Sequence, residues 1–203
     1  MRPKWLVVLL AVPALSLAAA PAATWTFLKM ETRLAAPPVP PPAKIDVCYN
    51  YGCAAEGRVT FPGAQLDELQ ALLDEAAGAE HERAALAQAV GRMYAWAARQ
   101  TPIGADKAGN YADGNMPGSM DCIDHSTTTT RFLRLLESRG WLRFHSVIEP
   151  VQRTNLILRH FSAAIADRGD GARIWAVDSW YADNGKPPLI AQLHEWESAD
   201  GPN

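Results

Sequence analysis

One stretch constrains the fold more than any other: Met120-Asp121-Cys122-Ile123-Asp124-His125-Ser126, at the head of a helix expected to run to about Arg139. Phe132, Leu133, Leu135 and Leu136 give the second half of that helix an apolar face, and Gly140 supplies its stop. Ser126 and the four threonines Thr127 to Thr130 make a poor helix interior by propensity, but such small hydroxyl residues let another element pack closely. Upstream, Gly104 to Met120 is irregular, with glycines at 104, 109, 114 and 118. A loop of that length inside a compact domain is more often functional than accidental. Downstream, three strand-like runs follow at Trp141 to Ile148, Asn155 to Ala166 and Ala172 to Trp180, and they carry His160 and Asp178.

The chain before this stretch divides by composition. Arg2 and Lys4 precede Leu6 to Ala20, an apolar run interrupted only by Pro13 and Ser16, with small residues at Ala18, Ala20, Ala22 and Ala23. That is the shape of a secretory signal peptide. The uncharged run extends over 24 residues from Trp5 to Leu28, which also suits an uncleaved membrane anchor. We therefore expect a signal peptide or N-terminal membrane anchor at 1–28, a Pro-rich linker at 29–44 containing Pro37-Pro38-Val39-Pro40-Pro41-Pro42, and one domain at 45–203. Either reading of the N-terminus places the domain outside the cytoplasm, periplasmic or secreted, with a possible membrane tether. The domain's roughly 160 residues suffice to bury about two-thirds of the unfolded surface. Net charge is −3, and the first 36 residues carry +3, which leaves −6 for the rest. A mildly acidic domain has no electrostatic case for binding nucleic acid.

Within the domain, Ile45 to Cys53 reads as a strand and turn, and Arg58 to Phe61 as a short strand. Helices are expected at about 64–77 and 80–100, from apolar residues recurring at Leu66, Leu69, Leu72 and Leu73 and at Leu86, Val90, Met93 and Tyr94. Leu189 to Trp196 is a last strand or short helix. The three cysteines are Cys48, Cys53 and Cys122. In an oxidising compartment Cys48 and Cys53 suit a local disulfide, with two unpaired thiols as the alternative. A zinc site there lacks a second cysteine pair, and a thioredoxin-like redox role lacks its βαβ context.

A helix N-terminus favours a thiolate, a nearby histidine can take the thiol proton, and a carboxylate can orient that histidine. Cys122 has the helix start. His160 shares a strand face with Leu158 and Ser162, and Asp178 shares one with Ala176 and Trp180. A three-residue loop, Arg168-Gly169-Asp170, would place His160 directly across from Asp178. A two-residue loop would put them on opposite faces, and any other register of the same parity would keep them together. His125, one turn from Cys122, and His145 are weaker candidate bases. His81, among charged residues, reads as a surface histidine. Asp124 is expected to cap or pair near the helix start.

The Asp121-Cys122-x-Asp124 head, the later His160, and the strand Trp175-Ala176-Val177-Asp178-Ser179-Trp180-Tyr181, in the order Cys, His, Asp, resemble the transglutaminase-like superfamily, most nearly the bacterial transglutaminase-like cysteine proteinases. The chain departs from that pattern in having Met120 before Asp121, and Ser162 where an aromatic often follows the histidine. The resemblance implies an α+β, papain/transglutaminase-like fold, with a cysteine-bearing helix packed on an antiparallel sheet. It implies Cys122 as nucleophile, His160 as general base and acid, and Asp178 as the orienting acid. It also implies attack on an amide or peptide carbonyl through a thioester, making the protein a peptidase, amidase or transglutaminase-type acyltransferase. The partner would then be a protein or peptide substrate, with no cofactor; some of these proteinases bind calcium, but no calcium ligand set is assigned in this sequence, and no metal is expected. The alternative is a catalytically silent binding module of the same fold at the cell envelope.

Overall fold

Alternating apolar residues fold the start of the domain into a hairpin. β1 (Ala43–Tyr49) and β2 (Ala55–Phe61) pair antiparallel from Ala43↔Phe61 to Tyr49↔Ala55, and turn Val47, Val59 and Phe61 inward. The computed structural model describes residues 40–110, 112, 114, 116–155, 158–169 and 173–198. The expected signal peptide or anchor, and most of the Pro-rich linker, lie outside them. Among the described residues no helix is long and apolar enough to cross a membrane.

Three helices follow the hairpin: α1 (Gly63–Asp74), α2 (Ala79–Ala97) and α3 (Cys122–Ser138). The leucines that predicted α1 and α2 are its buried stripe: Leu66, Leu69, Leu73 and Leu86 have no exposure. Four antiparallel strands complete the fold in the order β3-β4-β5-β6: β3 (His145–Asn155), β4 (Leu158–Asp167), β5 (Ile174–Asp178) and β6 (Leu189–Gln192). The final segment is both strand and helix, since β6 runs directly into α4 (Leu193–Ser198). The result is an α+β fold in which α3 packs on β4 and β3 and also on β1 of the hairpin. Phe132 marks the junction, edge-on to Phe61 at 5.7 Å and to Tyr94 at 5.2 Å between ring centroids.

The β4–β5 register differs from the three-residue hairpin. Ala163 pairs with Val177 and Ala166 with Ile174, and the Asp167 N–H donates to the Arg173 carbonyl at 3.0 Å. The connection therefore spans 168–172, two residues longer than expected. His160 no longer stands directly opposite Asp178, but a two-residue shift preserves parity, and the two remain on one face.

A buried carboxylate ties the helices to the sheet. Glu82 of α2 has no exposure and accepts the N–H groups of Arg143, Phe144 and His145 at 2.6, 3.1 and 3.0 Å, together with His145 Nδ1 at 2.8 Å. Burial opposes its charge, yet these bonds outweigh burial and hold Glu82 below the ordinary carboxylate range. His145 Nε2 lies 3.1 Å from Asp167, so this histidine is fully engaged in structure and is no candidate base. Glu82→Ala orphans three backbone donors and should destabilise the domain by about 3–5 kcal/mol in equilibrium urea unfolding. Arg58→Ala, which breaks an exposed pair with Asp46, should leave the midpoint nearly unchanged. Equal, small effects from the two substitutions would refute the tether.

Candidate functional site

The head of α3 is fixed by two carboxylates with two duties each. Asp121 is the N-cap and accepts from the Ile123 and Asp124 N–H groups at 3.0 and 2.9 Å. Asp124 returns the bond by accepting the Asp121 N–H at 3.1 Å, which closes a capping box. The same carboxylates then hold the loop between β1 and β2. Asn50, Tyr51, Gly52 and Cys53 are all left-handed, with φ of 67°, 62°, 65° and 58°. Consecutive left-handed residues turn their N–H groups into one concavity that takes an anion. Tyr51 and Cys53 donate to Asp124 at 2.8 and 2.7 Å, and Gly52 donates to Asp121 at 3.0 Å. Only glycine suits this conformation freely, and three of these four residues are not glycine. A Cys48–Cys53 disulfide closes the loop.

The loop also grips the glycine-rich segment before Cys122. The Asn50 side chain accepts from the Gly118 N–H at 2.8 Å, and the Asn50 N–H donates to the Ser119 carbonyl at 2.8 Å. Gly118 has φ +90°, and a Cβ there would lie 2.2 Å from the Pro102 carbonyl oxygen, so no other residue fits. Asp124 is fully buried. Burial, reinforced by the charge of Asp121, pushes its carboxyl up to about 6 despite the N–H bonds.

These constraints bring Cys122, His160 and Asp178 together. Cys122 is a free, half-buried cysteine whose sulfur lies 4.0 Å from the Arg159 carbonyl, next to His160. Asp178, 1% exposed, accepts from His160 Nε2 at 2.7 Å and from the Trp196 indole at 2.8 Å through Oδ2, and from the Trp180 N–H at 3.2 Å through Oδ1. That leaves His160 Nδ1 as the ring nitrogen able to meet the sulfur. Trp180, Tyr181 and Trp196 surround the imidazole with centroids 5.1, 5.3 and 5.7 Å away. Arg153, paired with His160 across β3 and β4, donates to the Trp196 carbonyl and to the Tyr181 hydroxyl. Sequence reasoning missed Trp196 and Arg153. A buried indole must find an acceptor, but nothing in the sequence says that the acceptor is Asp178.

A second network lies behind the first. His125 is bonded to Asp106 at 2.9 Å through Nε2 and to Ser179 at 2.9 Å through Nδ1, and Ser179 continues to Thr129 at 2.8 Å and Tyr94 at 3.2 Å. Asp106 also accepts the Met120 N–H at 2.8 Å. His125 is 3% exposed and both ring nitrogens are bonded, so it serves as a brace between the glycine-rich loop, α3 and the end of β5. Of the threonines that weaken the helix by propensity, Thr129 is part of this brace, and Thr128 accepts the Cys48 N–H at 3.0 Å. For metal binding, Cys48, Cys53 and Glu56 place donor atoms within 4.8 Å of one another, but the two sulfurs are bonded together and offer no thiolate.

No protein-family model, no curated protein and no solved structure matches the chain.

The geometry corrects the cysteine-enzyme expectation. Thiol acyl transfer through general-base catalysis needs a free thiol and a base able to accept its proton near neutral pH. Of the three cysteines, Cys48 and Cys53 are joined in the disulfide, and Cys122 alone is free. His160, the expected general base, already carries a proton at neutral pH. Burial is the largest single influence and works against the charge, but the bonds and charges of Asp178 and the Cys122 sulfur together push the imidazole up to about 9. A thiolate paired with an imidazolium needs no neutral base, so the protonation of His160 corrects only the general-base role expected of it. The disulfide removes Cys48 and Cys53 as nucleophiles, and the peptidase, amidase and transglutaminase expectation is not carried forward.

His160 gives a pH signature. Its folded pKa lies above the unfolded value near 6.5, so its contribution to stability is fully present below about pH 6.5 and is lost as pH rises through about 9. The urea midpoint of His160→Gln should fall well below that of the intact protein at acid pH, and the two should converge at alkaline pH. A gap independent of pH would show that His160 is not held as a cation.

Proposed function

We propose that the chain is a catalytically silent binding module of papain/transglutaminase-like architecture, working outside the cytoplasm at the cell envelope. Its ligand is an extended segment of a partner protein, taken up over the cleft at Cys122. One observation carries this reading. Four large apolar side chains stand exposed among the described residues, and all four belong to segments that meet at the cluster. Met116, 55% exposed, is in the loop leading to Cys122, and Ile123, 40% exposed, follows Cys122. Leu158, 63% exposed, precedes the Arg159 whose carbonyl faces the sulfur. Leu189, 47% exposed, pairs with Asp178 across β5 and β6. Single exposed apolar residues are ordinary, but four on segments that each adjoin Cys122, His160 or Asp178 support an interaction surface there.

Two further features support the reading. A disulfide suits an oxidising compartment. The charged imidazole is enclosed by aromatic rings and a fully bonded carboxylate, a rigid floor suited to recognition.

Selection from a random peptide library should yield apolar-rich ligands. Ile123→Ser with Leu158→Ser should weaken the best of them by about tenfold or more in a titration, while Cys122→Ser should keep most of the affinity. Affinity that ignores the apolar pair would sink the proposed surface.

A further inference from the structure

The Cys48–Cys53 disulfide is asymmetric in a way that its structural role does not require. Cys48 is fully buried, whereas Cys53 is partly exposed, so an incoming thiolate reaches the Cys53 sulfur. The leaving sulfur would then be Cys48, and the Arg131 guanidinium stands 3.6 Å from it. Arg131 is held there by the Asp46 carbonyl at 2.8 Å and by Glu56 at 2.8 Å. The Glu56 carboxylate lies 3.7 and 3.6 Å from the two sulfurs and would repel a thiolate, but its pairing with Arg131 offsets that charge. A cation beside the departing sulfur lowers its pKa and speeds thiol–disulfide exchange.

We propose that Cys48–Cys53 is a site of thiol–disulfide exchange, opened by a dithiol reductant, and that its opening loosens the cleft at Cys122; the consequence for ligand rests on the binding reading above. One thiolate of the reductant attacks the Cys53 sulfur, and the S–S electron pair leaves with Cys48, whose thiolate forms beside Arg131. The reductant's second thiol then displaces Cys53 and closes to a disulfide. Two electrons and two protons pass to the protein, and the reductant is oxidised. The opened loop no longer has the closure that holds Asn50, Tyr51 and Cys53 left-handed. As these residues relax, their N–H groups leave Asp121 and Asp124, and Asn50 releases Gly118 and Ser119. The loop that carries Met116 and delivers Cys122 then keeps the Asp106 end of its anchorage, through the Met120 N–H.

The test is hydrogen exchange by mass spectrometry on the intact protein, oxidised and after dithiothreitol, with full reduction checked by alkylation of both thiols. Amides in 104–121 and at the head of α3 should exchange about tenfold faster or more after reduction, and recover on reoxidation, with α1 and α2 unaffected. Arg131→Gln retains the disulfide and should slow its reduction by about threefold, the change expected for one pKa unit in a leaving thiol. Unchanged exchange after full reduction overturns the proposal, whatever the peptide binding. Faster exchange with undiminished affinity for a selected peptide overturns the coupling to the cleft. Faster exchange in a protein that binds no peptide in either state supports the latch and counts against the binding reading.

Discussion

The carboxylate of Asp124 is the point on which the site depends. Buried without exposure, it accepts from its own helix start and from two left-handed residues of a hairpin loop 71 and 73 positions earlier. A capping aspartate ordinarily satisfies orphan donors of one helix. Here the same atoms also stabilise a backbone conformation that is unfavourable for Asn50, Tyr51 and Cys53. Removing the carboxylate would therefore cost more than a cap, because the loop, the glycine-rich segment and the direction of α3 are all set by it. The raised pKa of Asp124 follows from the same arrangement, since burial and Asp121 oppose its charge more strongly than the N–H groups favour it.

Asp178 plays the matching part on the sheet. Three donors from β4, α4 and its own turn converge on it, and the imidazole of His160 is held as a cation among aromatic rings. The His125 brace, through Ser179 and Asp106, ties this end of β5 to α3 and to the loop before Cys122. The two networks together fix the head of α3, which carries Cys122, and the His160–Asp178 pair. Exposed apolar side chains stand on segments that adjoin these networks, beside exposed polar ones such as Arg159, and they are the basis for the proposed binding surface.

Much of the fold was legible because it rests on periodicity. The leucines of α1 and α2, the stop at Gly140 and the strand-like runs carrying His160 and Asp178 are local patterns. The α+β class with an antiparallel sheet was implied by the resemblance, and the structure shows it. The parity of His160 and Asp178 could be read from strand alternation, but the length of their hairpin could not, since turn residues at 168–170 permit several registers. The second duty of Asp121 and Asp124 was invisible, because it joins residues about 70 positions apart. So was Trp196, whose role is set by where α4 folds back. The general-base role expected of His160 failed for an electrostatic reason, the sum of Asp178 and the sulfur against burial, which no residue pattern displays.

The measurement that bears most directly on the central claim is a turnover assay. The intact protein and Cys122→Ser would be incubated with a peptide library rich in glutamine and amines, followed by mass spectrometry of every product. The account predicts that both proteins leave the peptides chemically unchanged and retain a common subset of them. New peptide termini, or products that have lost ammonia, formed by the intact protein and not by Cys122→Ser, would contradict it and restore Cys122 as a catalytic nucleophile.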